Sequence, residues 1–162
     1  MKYSDARSTI KSGDLLAWSH RGFGTWHDIK IQIVRIATRS EYSHVGVAWV
    51  VGGRVFVIEA VQPLVRIYPL SKLGSFYHIP LGALWRPETE EIALAHIGGP
   101  YSQLDAVKAF FRPLGKSVVT ECAALVLNIL RADGIDLGDR ATPDAVVYQA
   151  QLYDHPTFLI DA

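Results

Sequence analysis

The segment Ser43-His44-Val45-Gly46-Val47-Ala48-Trp49 alternates along its length, and beyond Gly52-Gly53 the run Val55-Phe56-Val57-Ile58-Glu59-Ala60 does the same. Two β-like runs joined by a glycine pair read as a hairpin closed by a tight primed turn. With Gly52 and Gly53 as the loop, Val51 faces Arg54, Gly46 faces Glu59 and His44 faces Val61. His44 and Glu59 then share one face as diagonal neighbours, roughly 7–8 Å apart at the backbone and within reach of long side chains. A carboxylate that holds one imidazole nitrogen while the other meets a reacting group is the orienting half of a nucleophilic triad. Considered alone, the pair favours the plainer reading of two polar residues on a half-buried ribbon.

Working outward, Ser12-Gly13-Asp14 is a turn and Leu15-Leu16-Ala17-Trp18 a short apolar strand. A glycine-containing loop follows, and Trp26, Ile29, Ile33, Ile36 and Ala37 have helical spacing over residues 26–39. Beyond the hairpin, residues 65–68 and 76–79 read as strands, punctuated by Pro63, Pro69, Gly74 and Pro80. From Arg86 the pattern turns helical. Pro87-Glu88 and Glu90-Glu91 put proline and acids into a first turn, where free N–H groups favour negative charge. Ser102-Gln103-Leu104-Asp105 resembles a capping box opening a second helix to about Phe111. Thr120 is a candidate N-cap for the apolar run Glu121 to Ala132, which Gly134 stops. Thr142-Pro143 opens one more helix, and residues 157–160 form a closing strand. Strands first and helices second predict an α+β domain, its antiparallel sheet or partial barrel packed against helices.

A chain of 162 residues is expected to form a single domain over 1–162. Sixteen basic and sixteen acidic residues cancel, so no nucleic-acid partner is expected. Arg35, Arg39, Arg54 and Arg66 read as a solvated rim, with attraction of an anionic substrate as the alternative. The one cysteine excludes an intramolecular disulfide and any multi-cysteine zinc site. HExxH, P-loop and GxGxxG runs are missing, and His78, His96 and His155 lack metal-like spacing, so neither a metal nor a cofactor is expected. No stable membrane insertion is expected, since the longest apolar stretch is interrupted by Gly-Gly and Arg54. Residues 1–7 carry no signal-peptide core, which implies a soluble, cytoplasmic protein or one delivered by another route.

Cys122 falls in the first turn of the apolar helix, where the dipole and the unpaired N–H groups favour thiolate over thiol. The same groups can stabilise an oxyanion. Taken alone, a cysteine followed by Ala-Ala-Leu-Val-Leu reads more readily as core. Joined to a histidine that begins a strand and a carboxylate placed by register beside it, it meets the expectation for a Cys-His-carboxylate site.

The order Gly13-Asp14-Leu15-Leu16, Ser43-His44-Val45-Gly46-Val47, Val57-Ile58-Glu59-Ala60, Pro100-Tyr101-Ser102, Glu121-Cys122-Ala123-Ala124-Leu125-Val126 and Thr142-Pro143 resembles the circularly permuted papain-like hydrolases. These are the YiiX/YaeF-type branch of the NlpC cell-wall hydrolase superfamily, which also holds lecithin:retinol acyltransferase-like enzymes; phage-encoded relatives look most similar. The resemblance runs from about Ser12 to about Leu152, with histidine ahead of cysteine as the permuted order requires. It implies Cys122 as nucleophile, His44 as general base and then acid, and Glu59 as orienter. It also implies a cysteine peptidase or amidase acting on peptide, most plausibly peptidoglycan-derived, with cytoplasmic or virion-associated delivery. Trp18, His20 and Tyr101 are candidate substrate-binding residues, Tyr101 being the family's Pro-Tyr match and Asp14 a structural acceptor at the Gly-Asp turn. Cys-Ala-Ala-Leu-Val departs from the family's Cys-Ser-Glu-Leu-Val-like run, which bears on substrate more than on the triad. Two alternatives stand beside this reading: a lipid acyltransferase or esterase, and a non-catalytic virion or binding module that keeps the fold.

Overall fold

Gly52 and Gly53 take φ of 56° and 70°, the left-handed pair that a primed two-residue turn demands, and the chain reverses there. The computed structural model describes residues 1–19, 41–99 and 120–161. The expected helix over 26–39, the capping-box segment from Ser102, and His20, His27 and Tyr101 lie outside the described residues. In chain order the elements are helix α1 (Tyr3–Ala6), strands β1 (Leu15–Trp18), β2 (His44–Val51), β3 (Arg54–Val61) and β4 (Leu64–Pro69), a 3-10 turn (Leu70–Lys72), strand β5 (Phe76–Ile79), helices α2 (Pro87–Ala95), α3 (Glu121–Ala132) and α4 (Pro143–Leu152), and strand β6 (Phe158–Ile160).

The strands form one open antiparallel sheet in the order β4-β3-β2-β1-β5-β6. The β2–β3 register is the one the glycine pair predicts, from Val51 opposite Arg54 to Val47 opposite Ile58. Local pattern does not show that β1 lies between β2 and β5, pairing Leu16 with Gly46 on one side and with His78 on the other. Such a central strand is covered on both faces, and all four of its residues are buried. Successive side chains alternate between faces. Leu15 and Ala17 join Val45, Val47, Ile58 and Ala60 on the face that carries the helices, whereas Leu16 and Trp18 join Ala48, Val57, Phe76 and Ile160 on the other.

Helix α3 lies against β2 and β3 and buries Cys122, Ala123, Leu125, Val126, Leu127, Ile129 and Leu130. Each buried Leu, Ile or Val in such a row stabilises the fold by about 1.5–3 kcal/mol, so packing rather than capping holds the helix. Thr120 occupies the N-cap position, but its hydroxyl donates to the Ala141 carbonyl at 3.1 Å instead of capping its own helix. Thr142 does cap α4, accepting from Ala145 N–H at 3.3 Å. At the other end of α3, the buried Asp133 accepts from the N–H groups of Leu84 and Arg86 and from the Thr89 hydroxyl, tying the start of α2 to it. Asp14 takes the structural role expected of it: it accepts from Lys11 N–H at 2.8 Å and Leu81 N–H at 3.3 Å and meets His78 Nε2 at 2.8 Å. Among the described residues no helix is long and apolar enough to cross a membrane.

Candidate active site

His44 opens β2 and sits directly opposite Trp18 of β1. Its ring lies 5.4 Å from the Trp18 ring, which in turn lies 6.0 Å from Phe76. The indole is a wall behind the imidazole, with its N–H buried and without a hydrogen-bond partner among the described residues. Glu59, on the same sheet face, places Oε2 2.8 Å from His44 Nε2. The diagonal pairing expected from the hairpin register is therefore made as a direct contact. Its geometry needs Gly46 between the strands, because a Cβ there would stand 2.5 Å from Val57 Cγ2.

Cys122 reaches the same place from the first turn of α3. Cys122 is 4% exposed, but its surroundings are polar: Thr120 Oγ1 lies 3.6 Å from the sulfur, and His44 and the Val45 N–H are near enough to favour its charged form. With Nε2 of His44 taken by Glu59, Nδ1 is the ring nitrogen available to the sulfur. The side chain of His44 is 24% exposed and that of Glu59 is 3% exposed, so of these two only the imidazole has an opening to solvent.

The electrostatics follow from this row. Burial disfavours a charged imidazole, yet the hydrogen bonds to Cys122 and Glu59 and the negative charge on both outweigh it and push His44 up to about 10. Burial likewise raises the Cys122 thiol, and the hydrogen bond and charge of His44, helped by Thr120 and the Val45 N–H, bring it below its ordinary value. Glu59 is raised by burial and lowered further by His44 and then Arg66, ending below the usual carboxylate range. All three directions favour the charged form of each group: imidazolium at His44, thiolate at Cys122 and carboxylate at Glu59.

Arg66 corrects the sequence reading. Its side chain is 38% exposed, but it lies directly across the β3–β4 ladder from the buried Glu59 and binds Oε1 through Nε at 2.9 Å and Nη2 at 2.7 Å, so it is more than a solvated rim charge. The signal for this was Gln62-Pro63: a two-residue turn there, with Val61 opposite Leu64, brings residue 66 opposite residue 59. The structure thus brings Cys122, His44, Glu59 and Arg66 together, with Trp18 behind His44. His96 instead pairs with Asn128 at 2.9 Å.

What these features define is an α+β protein with an open antiparallel sheet and a buried thiol–imidazole–carboxylate row at the end of one helix. No family model matches the sequence, and no curated protein does. Among solved structures, the fold is similar to that of the metalloprotein YiiX from Escherichia coli O157:H7, with a TM-score of 0.58 and 21% identity over 80% of this chain and 70% of that one. This is a fold of the YiiX type. Among the described residues no group of three or more His, Cys, Asp or Glu side chains is arranged to hold a metal ion, and the polar atoms of the Cys-His-Glu row are engaged with one another and with Arg66.

Proposed function

We propose that this protein is a thiol hydrolase that cleaves an amide bond through Cys122, His44 and Glu59, on the permuted papain-like plan, and that the amide belongs to a peptidoglycan peptide. The observation that carries the reading is His44 with Nε2 on Glu59 at 2.8 Å and Cys122 near enough for imidazole and thiol each to favour the other's charged form. A structural cysteine gains nothing from an imidazole beside it, whereas a nucleophilic one can pass its proton to the imidazole and is stabilised by it as thiolate. The cell-wall substrate rests on the resemblance of the ordered motifs alone.

In the first half-reaction the Cys122 thiolate attacks the carbonyl carbon and a C–S bond forms. The oxygen becomes an oxyanion facing the free N–H groups of the first turn of α3, where the helix leaves its leading donors unpaired. The C–N bond then breaks as His44 gives its proton to the departing nitrogen, leaving a thioester and a neutral imidazole. In the second half-reaction His44 takes a proton from water, the hydroxide adds to the thioester carbonyl, and the C–S bond breaks to release a carboxylic acid. Glu59 keeps the ring oriented throughout and steadies it whenever it is charged.

The test is digestion of purified peptidoglycan and its soluble stem peptides, read by mass spectrometry for new amine and carboxylate ends. Cleavage by the wild type and none by C122A or C122S, with both variants folded, is the expected result. Cleavage that survives C122A overturns the mechanism. A wild-type thiol alkylated near neutral pH no faster than an ordinary one, whose pKa is about 8.5, favours the non-catalytic module instead.

A further inference from the structure

Arg66 makes a contact that the three-residue mechanism does not use. We propose that Arg66 is a positioning residue of the thiol site, holding the Glu59 carboxylate in the orientation that meets His44 and keeping it ionised through both halves of the reaction. The inference rests on the thiol-hydrolase reading given above.

The geometry assigns one oxygen of Glu59 to each partner: Oε1 takes Nε and Nη2 of Arg66 at 2.9 and 2.7 Å, and Oε2 meets His44 at 2.8 Å. A carboxylate fixed at both oxygens cannot rotate away from the imidazole. The guanidinium is fixed in turn, with its carbon 4.5 Å from the centre of the Tyr68 ring, a stacking that guanidinium groups favour.

The chemical need arises when His44 is neutral. While His44 is an imidazolium, Glu59 has a cation beside it. After His44 has protonated the leaving nitrogen, that cation is gone and Glu59 is a carboxylate with 3% of its side chain exposed. Burying such a charge without a partner favours protonation. A protonated Glu59 would no longer draw His44 towards the charged state needed when it activates water. Arginine does not lose its proton in proteins, so Arg66 supplies the one charge in the row that is constant. Among the described residues the titratable and charged groups facing this row are Cys122 from α3, His44 from β2, Glu59 from β3, and Arg66 with the Tyr68 phenol from β4; the Trp18 ring from β1 is uncharged.

The test uses the chain's one cysteine and needs no substrate. Rates of Cys122 alkylation by iodoacetamide are measured from pH 4 to 10 by mass spectrometry in wild type, R66M, R66K, E59Q and the E59Q/R66M double variant. R66M is expected to move the acid limb of the profile up by about one pH unit, so that its rate on that limb falls about tenfold while its rate at pH 9 stays near wild type. R66K, which keeps the charge but not the fork, is expected to recover at least half of that displacement. In the E59Q background, R66M is expected to change nothing further, because Arg66 acts through Glu59. A displaced wild-type limb that R66M leaves unmoved overturns the inference alone, as does an R66M effect of equal size with and without Glu59. A wild-type limb at the ordinary thiol value overturns the proposed function and the inference with it.

Discussion

Replacing Gly46 by alanine probes how closely β2 and β3 must approach for the thiol site to form. An added Cβ would stand 2.5 Å from Val57 Cγ2, 3.0 Å from the Ile58 carbonyl oxygen and 3.4 Å from Glu59 Cβ. Carbon atoms rest about 3.5–4.0 Å apart, so about 1 Å of room has to be found. Val57 is fully buried, and Ile58 is paired with Val47 in the ladder, so neither yields freely. The strain falls on the stretch of β3 that carries Glu59. A displacement of about 1 Å there carries the 2.8 Å contact with His44 beyond the range of a good hydrogen bond. Overpacking costs about 1–3 kcal/mol, and a lost hydrogen bond to a charged group about 1.5–3 kcal/mol. The two effects share atoms, so they sum incompletely, and a total destabilisation of about 3–5 kcal/mol is expected. Urea unfolding of wild type and G46A measures it, and iodoacetamide alkylation at pH 6 reads the site itself, with a fall of about tenfold or more expected for one unit of thiol pKa. A variant within about 0.5 kcal/mol of wild type that is alkylated at the wild-type rate would refute the claim that close strand approach builds the His44–Glu59 contact.

Two further outcomes follow from the same geometry. His44, raised to about 10, contributes stability that is complete below the unfolded imidazole value of about 6.5 and is lost as pH rises through the folded value. Cys122, lowered, contributes stability that is complete above the unfolded thiol value of about 8.5 and is lost as pH falls through its folded value. Above the unfolded thiol value the His44 slope stands alone, so the urea midpoint should fall as pH rises from about 8.5 to 10; a midpoint flat over that range would contradict the raised imidazole. For Trp18, W18F keeps a ring beside His44 and removes an indole N–H that has no partner among the described residues. The relieved donor and the lost packing should nearly cancel, giving a change under about 1 kcal/mol, against about 3–5 kcal/mol for W18A. A cost above about 2 kcal/mol for W18F in urea unfolding would mean the N–H has a partner after all.

The hairpin was legible because a two-residue glycine turn leaves a single register, and that register alone brings His44 to Glu59. The buried helix at Glu121–Ala132 was legible from its apolar length and from its stop at Gly134. The insertion of β1 between β2 and β5 was not, because pairing across a long separation leaves no local mark in four apolar residues. Arg66 was misread because charge composition places arginines outside, while its position is set by the register of a second, proline-containing turn. The approach of Cys122 to His44 was also invisible in the chain itself, since it depends on how α3 lies against β2. Asp14 was read as a structural acceptor from its match to the family's Gly-Asp turn, and it does accept from Lys11 and Leu81 N–H, although His78 as its partner was not foreseen.

The spacing of these residues along the chain also sets when the thiol becomes reactive during biosynthesis. His44 and Glu59 are 15 residues apart in one hairpin, an element that closes in about 1–10 μs once both strands are free. Cys122 leaves the ribosome some sixty residues later, which at about 5–20 residues per second is a delay of roughly 3–13 s. Until α3 docks on the sheet, the cysteine lacks its imidazole and remains an ordinary, mostly protonated thiol. In the proposed mechanism a nascent chain therefore carries the His44–Glu59 pair before it carries the nucleophile, and the thiol meets its imidazole only once α3 has docked.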